Sequence, residues 1–177
     1  MFHSESRLKK LEWILRLSVP QVFLMFLLLL NVLSLPLPYI ELLRPNFVLM
    51  GLYYWAIYRP TLIPSAFCFV LGLLMDFVTG SPPGLNALIY VFSRFIVTDQ
   101  RRFFMGQPYL VTWIGFAVLS IMVTLGQWGL MGLSIFDWVN PLVLIPNALV
   151  TICLFPFMTL LLILIHRVIP VEIKRYS

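Results

Sequence analysis

Asp76 stands directly after a run of membrane-grade apolar residues in the stretch LGLLMDFVTGSPPGLNAL, with Gly72, Gly80 and Gly84 at four-residue intervals around it. A carboxylate in that setting is costly unless partnered, so it calls for a function and a named partner. Two partners are in view. Arg44, on the same expected side of the membrane, is positioned for an ion pair. The backbone of the turn at 79–84 is positioned to donate hydrogen bonds, and the two readings are compatible. No second ionisable residue shares the helix of Asp76, so an architectural role is expected rather than proton transfer. On this view Asp76→Asn, which keeps size and hydrogen bonding, preserves the fold where Asp76→Leu does not. Cys68, Gly72 and Asp76 fall at i, i+4 and i+8, one stripe of small and polar residues along which helices can approach closely in lipid. Asn86, Tyr90 and Arg94 repeat the four-residue spacing on the next helix. Their stripe should face the bundle or a cavity, with Arg94 near enough to its helix end to snorkel instead. Ser120, Thr124, Gln127, Asn147 and Thr151 are further candidates for interhelical hydrogen bonds.

Other chemistry lacks its residues. No serine or cysteine has a histidine and an acid nearby, no glycine loop is built to cradle phosphate, and no paired carboxylates suit acid–base exchange. His3 and His166 are isolated from each other and from any cysteine or carboxylate cluster, so neither a metal nor a cofactor is expected. Cys68 and Cys153 both sit in apolar runs, where cysteine behaves as a small hydrophobe. The sequence therefore points to an interaction or binding role and not to an enzyme.

The elements that must position these residues are membrane elements. Of 177 residues, 61% are hydrophobic and 11% charged, against about 25% charged in a soluble domain. Apolar segments suggest spans at 17–35, 45–58, 60–78, 84–98, 107–131 and 141–166, read against the roughly 20 residues that cross a ~30 Å hydrocarbon core. The second is short, and its flanking Arg44-Pro45 and Arg59-Pro60 suggest snorkelling or local thinning. Tyr53, Tyr54, Trp55 and Tyr58 are expected near one headgroup layer. DQRRFFMG and GLSIFDWVN read as loops, and Pro146 and Pro156 as kinks in the last span. The net charge of +5 is scattered over loops and tails, unlike the clustered face of a nucleic-acid binder. With the N-terminus inside, every loop or tail arginine and lysine except Arg44 falls on the cytoplasmic side, as the positive-inside rule requires. The expectation is an all-α membrane protein, one domain over residues 1–177, with six transmembrane helices and both termini cytoplasmic.

The segment RPNFVLMGLYYWAIYRP followed by GLLMDFVTGSPPGLNAL resembles the rod shape-determining protein MreD family. The resemblance is carried by Arg44, Pro45, Tyr54, Trp55, Pro60, Gly72, Asp76, Gly80, Gly84, Ala87 and Leu88, matching in order; Pro83 departs from the leucine usual there. It covers residues 44–88. It implies a multi-pass protein of the bacterial inner membrane and a non-enzymatic scaffold of the cell-elongation machinery, supporting rod shape and lateral peptidoglycan synthesis. The implied partners are an MreC-like membrane protein and, through it, MreB and the RodA–transpeptidase pair, with room for a homodimer in the complex. It also implies a bundle like the S component of energy-coupling-factor transporters, which opens an alternative: a small-molecule-binding transporter subunit. Fold analogy alone is a poor warrant for function. The motif residues expected to shape helix packing or a partner surface are Arg44, Pro45, Tyr54, Trp55, Gly72, Asp76, Gly80 and Gly84.

Overall fold

The structure, a computed structural model, describes residues 18–31, 45–135 and 140–168. Arg44, both histidine side chains and the chain tails lie outside the described residues. Six α-helices occupy that range: α1 (Ser18–Asn31), α2 (Phe47–Tyr58), α3 (Ser65–Thr79), α4 (Leu85–Phe104), α5 (Tyr109–Ile135) and α6 (Ile145–Val168). Short 3-10 turns at Pro60–Leu62 and Pro141–Leu144 lead into α3 and α6. No strand occurs among the described residues. α5 and α6 are long and apolar enough to cross a bilayer, over Tyr109–Ser134 and Ile145–Ile165, whereas α1, α2 and α3 are shorter apolar helices.

The outer surface is as apolar as the core, unlike that of a soluble protein. Phe77 is 76% exposed and Phe157 71%, and large apolar side chains cover the outer faces of α1 and α3–α6. Asp76, Asn86, Ser93, Thr112, Ser120, Thr151 and Thr159 are buried. Water does not favour such a surface; hydrocarbon does, provided that the buried polar groups find partners inside the bundle.

α2 is the centre of the packing. Every residue from Val48 to Ile57 is buried, and a sequence apolar on all sides, as this one is, suits a helix enclosed by others. Twelve residues at 1.5 Å each reach only about 18 Å. α2 therefore packs within the bundle, against α4, α5 and α6 and, through Gly51, against Leu24 and Leu27 of α1. This corrects the expected aromatic belt: Tyr53, Tyr54 and Trp55 are core residues, and of the group only Tyr58 is exposed. Tyr53 meets Phe104, Phe116 and Phe155 edge-on, and the latter two stack at 4.0 Å. Its hydroxyl donates to the carbonyl of Thr112 at 2.9 Å.

Two further boundaries differ from the sequence reading. α4 runs through the DQRRF stretch expected to be a loop. Asp, Gln and Arg are compatible with a helix whose C-terminal end leaves the apolar layer, and Arg101 and Arg102 in its last turn complement the negative end of the helix dipole. α5 likewise continues to Ile135, into the expected GLSIFDWVN loop. Pro156 lies inside α6, whereas Pro146 sits in its first turn, where a missing N–H leaves no bond unmade.

Cys68, Leu71, Gly72, Met75 and Asp76 form the buried stripe of α3, and α3 packs most extensively against α4. At their crossing a Cβ on Gly72 would lie 2.2 Å from Ala87 Cα and 2.4 Å from its N. The obstacle is backbone, which cannot step aside. Gly80 and Gly84 do different work: a Cβ would meet nothing there, but φ is +67° and +98°, the left-handed region that disfavours other residues. Gly72→Ala is therefore expected to destabilise by about 1–3 kcal/mol or more, the usual range for overpacking. Gly80→Ala should cost only about 1–2 kcal/mol of backbone strain, and Leu88→Ala on the exposed face less than about 0.5 kcal/mol. Thermal unfolding of the purified variants in detergent checks that order, and a Gly72→Ala protein as stable as Leu88→Ala would contradict the seam.

Candidate functional site

α4 begins at Leu85 after Gly84, a residue with no side chain to cap the free N–H groups of the first turn. Those orphan donors need acceptors, normally from a Ser, Thr, Asp or Asn at that position. Here the acceptor comes from α3. Asp76 Oδ2 accepts from the Gly84 N–H at 2.8 Å, and Oδ1 accepts from the Asn86 N–H at 2.9 Å and from Asn86 Nδ2 at 2.8 Å. The acidic group also lies at the positive end of the α4 dipole, where negative charge is favoured. The carbonyl of the same residue ends α3, accepting from the N–H groups of Gly80 and Ser81. Residue 76 thus closes one helix with its backbone and opens the next with its side chain. The motif spacing follows: Gly72 brings the helices into contact, Gly80 turns the chain, and Gly84 lets the backbone reach the carboxyl.

The α4 stripe extends this network through the bundle. Asn86 Oδ1 accepts from Gln127 Nε2 of α5 at 2.8 Å. The Tyr90 hydroxyl donates to Asn46 Oδ1 at 3.3 Å. Asn46 itself caps α2, accepting from the Leu49 N–H at 3.0 Å, while its own N–H donates to Thr151 Oγ1 of α6 at 3.1 Å. The Arg94 guanidinium donates to the carbonyls of Ile63 and Pro60 and to Ser65 Oγ, at 2.9 Å for the last, so it fastens the connection between α2 and α3. The five N–H donors of arginine in a fixed fork suit a turn that offers several acceptors at once.

Of the motif residues, Gly72, Asp76, Gly80 and Gly84 come together at the α3–α4 turn. Pro45 precedes the Asn46 cap, Tyr54 and Trp55 lie within buried α2, and Arg44 falls outside the described residues. Asn46 was missed in the sequence, although an Asn directly before an apolar run is a helix-start signal. Asn31, which accepts from the Phe47 N–H at 3.1 Å, carried no such signal. Thr124 donates within its own helix, to the Ser120 carbonyl, and adds no link between helices. No group of three or more His, Cys, Asp or Glu comes together among the described residues.

Because both carboxyl oxygens act as acceptors, asparagine does not reproduce the hydrogen bonding at position 76, contrary to the sequence expectation. Its single oxygen can serve Asn86, but its amide nitrogen then faces the Gly84 N–H. Asp76→Asn is expected to lose about 1–3 kcal/mol, the range for a buried group left unsatisfied. Asp76→Leu, which strands all three donors, should lose considerably more. Unfolding midpoints in detergent or nanodiscs test the ranking; Asn as stable as wild type would refute the two-oxygen cap.

Comparison with known proteins agrees with the motif. The family described as rod shape-determining protein MreD matches residues 12–165. The chain is 30% identical over 60 residues to the rod shape-determining protein MreD of Haemophilus influenzae, covering 34% of this chain and 37% of that relative. The chain thus aligns with little more than a third of the length of that curated relative. No solved structure matches the chain. The match along most of its length identifies the chain as a member of the MreD family of rod shape-determining proteins.

Proposed function

We propose that the protein is a non-enzymatic scaffold of the bacterial cell-elongation machinery, crossing the inner membrane six times with both termini cytoplasmic. It binds an MreC-like membrane protein and through it links MreB with the RodA–transpeptidase pair, supporting rod shape and lateral peptidoglycan synthesis. The observation that carries this reading is the family match over residues 12–165. The placement of the polar side chains supports it. Asp76, Asn86, Arg94 and Asn46 all bind backbone or other side chains and hold helices in place, as a scaffold requires. The apolar outer faces of α3–α6 leave broad surface for lipid and for a partner's helix, and association there comes from close packing. Arg101 and Arg102 at the end of α4 fit a cytoplasmic location under the positive-inside rule.

In a rod-shaped bacterium that encodes this chain, its depletion should give rounded cells within a few generations, and the MreC-like protein should co-purify with it from native membranes. Cells that remain rods after depletion would overturn the role. Orientation is tested separately: an impermeant thiol reagent applied to intact cells should label Asp137→Cys and leave Arg101→Cys unlabelled. Labelling at 101 would overturn the topology while leaving the scaffold role standing.

A further inference from the structure

α4 and α5 are joined through residues 105–108 and pack against each other, but the seam between them does not close. A groove of about 300 Å³ lies along it, with Ile96, Gln100 and Phe104 on the α4 side and Ile114 and Val118 on the α5 side. Its walls come from described residues, and it reaches inward to Tyr53 of buried α2. Gly115 lets Phe104 lie across the seam, since a Cβ there would stand 2.5 Å from the Phe104 ring. At 1.5 Å per residue the groove runs roughly 12 Å along α4 and 16 Å along α5. That is close to the ~15 Å depth of one leaflet of a ~30 Å hydrocarbon core.

We propose that this groove holds one acyl chain of an anionic phospholipid, with the headgroup phosphate at Arg101. The shape of the groove selects the chain. Its volume spread over that length leaves a cross-section of about 20–25 Å², too narrow for a helix roughly 10–12 Å across. A polymethylene chain, about 4 Å thick at van der Waals contact, fits. Water does not: it needs two to four polar partners, and the Tyr53 hydroxyl is already committed to Thr112, which leaves Gln100 as the one other polar side chain on the walls. Charge selects the headgroup. Arg101 stands one turn from both Val97 and Phe104, which line the groove, so it shares their edge of α4. The 20 residues of α4 reach about 30 Å, which brings Arg101 to the headgroup layer, where anionic lipid attracts basic residues. Arg102 adds a second positive charge. Asp99 flanks the opposite edge of the groove, within i,i+3 reach of Arg102, and two arginines against one aspartate keep the helix end positive. The positive end of the α5 dipole lies beside the negative end of α4, and the two offset. The site needs a bilayer around α4 and α5, not the scaffold role or a particular orientation.

Native mass spectrometry of the purified full chain tests the site, with the protein released from micelles holding equal amounts of palmitoyl-oleoyl phosphatidylglycerol and phosphatidylcholine. One phosphatidylglycerol should be held about fivefold more strongly than phosphatidylcholine, the effect of one basic residue near an anionic headgroup. Arg101→Gln should abolish that preference, while Leu88→Trp, on an exposed face of α4 away from the groove, should keep it. Val118→Trp, at a half-exposed position, should fill the groove and lower retention of both lipids, with its unfolding midpoint in lipid-free detergent unchanged. Ile114→Trp, also half-exposed, is a second filler should the first fold poorly. The proposal is overturned if the two lipids are held equally, if Arg101→Gln keeps the preference, or if the folded fillers retain lipid like wild type. It is equally overturned if the fillers keep their lipid but lose a membrane protein that co-purifies from native membranes, which would assign the groove to a protein partner. None of these results bears on the depletion phenotype, so the scaffold role stands or falls separately.

Discussion

The first turn of α4 is buried, starts after a glycine, and has donors that nothing on its own helix can satisfy. That constraint organises the structure. A carboxyl from α3 meets it, and a carboxyl can do so only if α3 and α4 come nearly into backbone contact. Close approach in turn demands Gly72 opposite Ala87, and the sharp return of the chain between Thr79 and Leu85 demands left-handed residues at Gly80 and Gly84. A side chain of Asp length on α3, small residues at the crossing and glycines in the turn are therefore parts of one solution. Removing any of them strains the others.

From that point α4 acts as a spine. Asn86, Tyr90 and Arg94 reach α5, the start of α2 and the α2–α3 connection respectively, so one face of one helix fixes the positions of the elements around it. Each link is modest, since interhelical hydrogen bonds average about 0.6 kcal/mol in membrane bundles. Their geometry nevertheless decides which helix faces which. Apolar packing around Tyr53 and the wholly buried α2 supplies bulk attraction without that directional information. The division explains why a protein with so apolar a surface keeps an acid, an arginine and several amides inside.

Much of this was legible in the sequence because local spacing encoded it. The four-residue intervals of 68, 72 and 76 and of 86, 90 and 94 correctly marked inward faces, and the pairing of Asp76 with the following turn was one of the readings they allowed. What the spacing could not encode was contact between distant segments. α2 is apolar on every side, so it has no face from which to read burial, and its Tyr-Trp cluster looked like an interfacial belt. The DQRR stretch looked like a loop because its polarity masked helical continuity. The acceptors of Arg94, the carbonyls of Pro60 and Ile63, lie some thirty positions away, beyond the reach of local spacing. Gly80 and Gly84, expected with the other motif residues to shape helix packing or a partner surface, serve backbone conformation.

Asp76 and Asn86 form one energetic unit joining α3 to α4. A double-mutant cycle with Asp76→Ala, Asn86→Ala and the pair, followed by reversible unfolding in mixed micelles, measures it directly. A coupling energy of about 1–3 kcal/mol is expected, as for hydrogen-bonded residues that share a buried network. Additivity of the two single variants to within about 0.5 kcal/mol would contradict it.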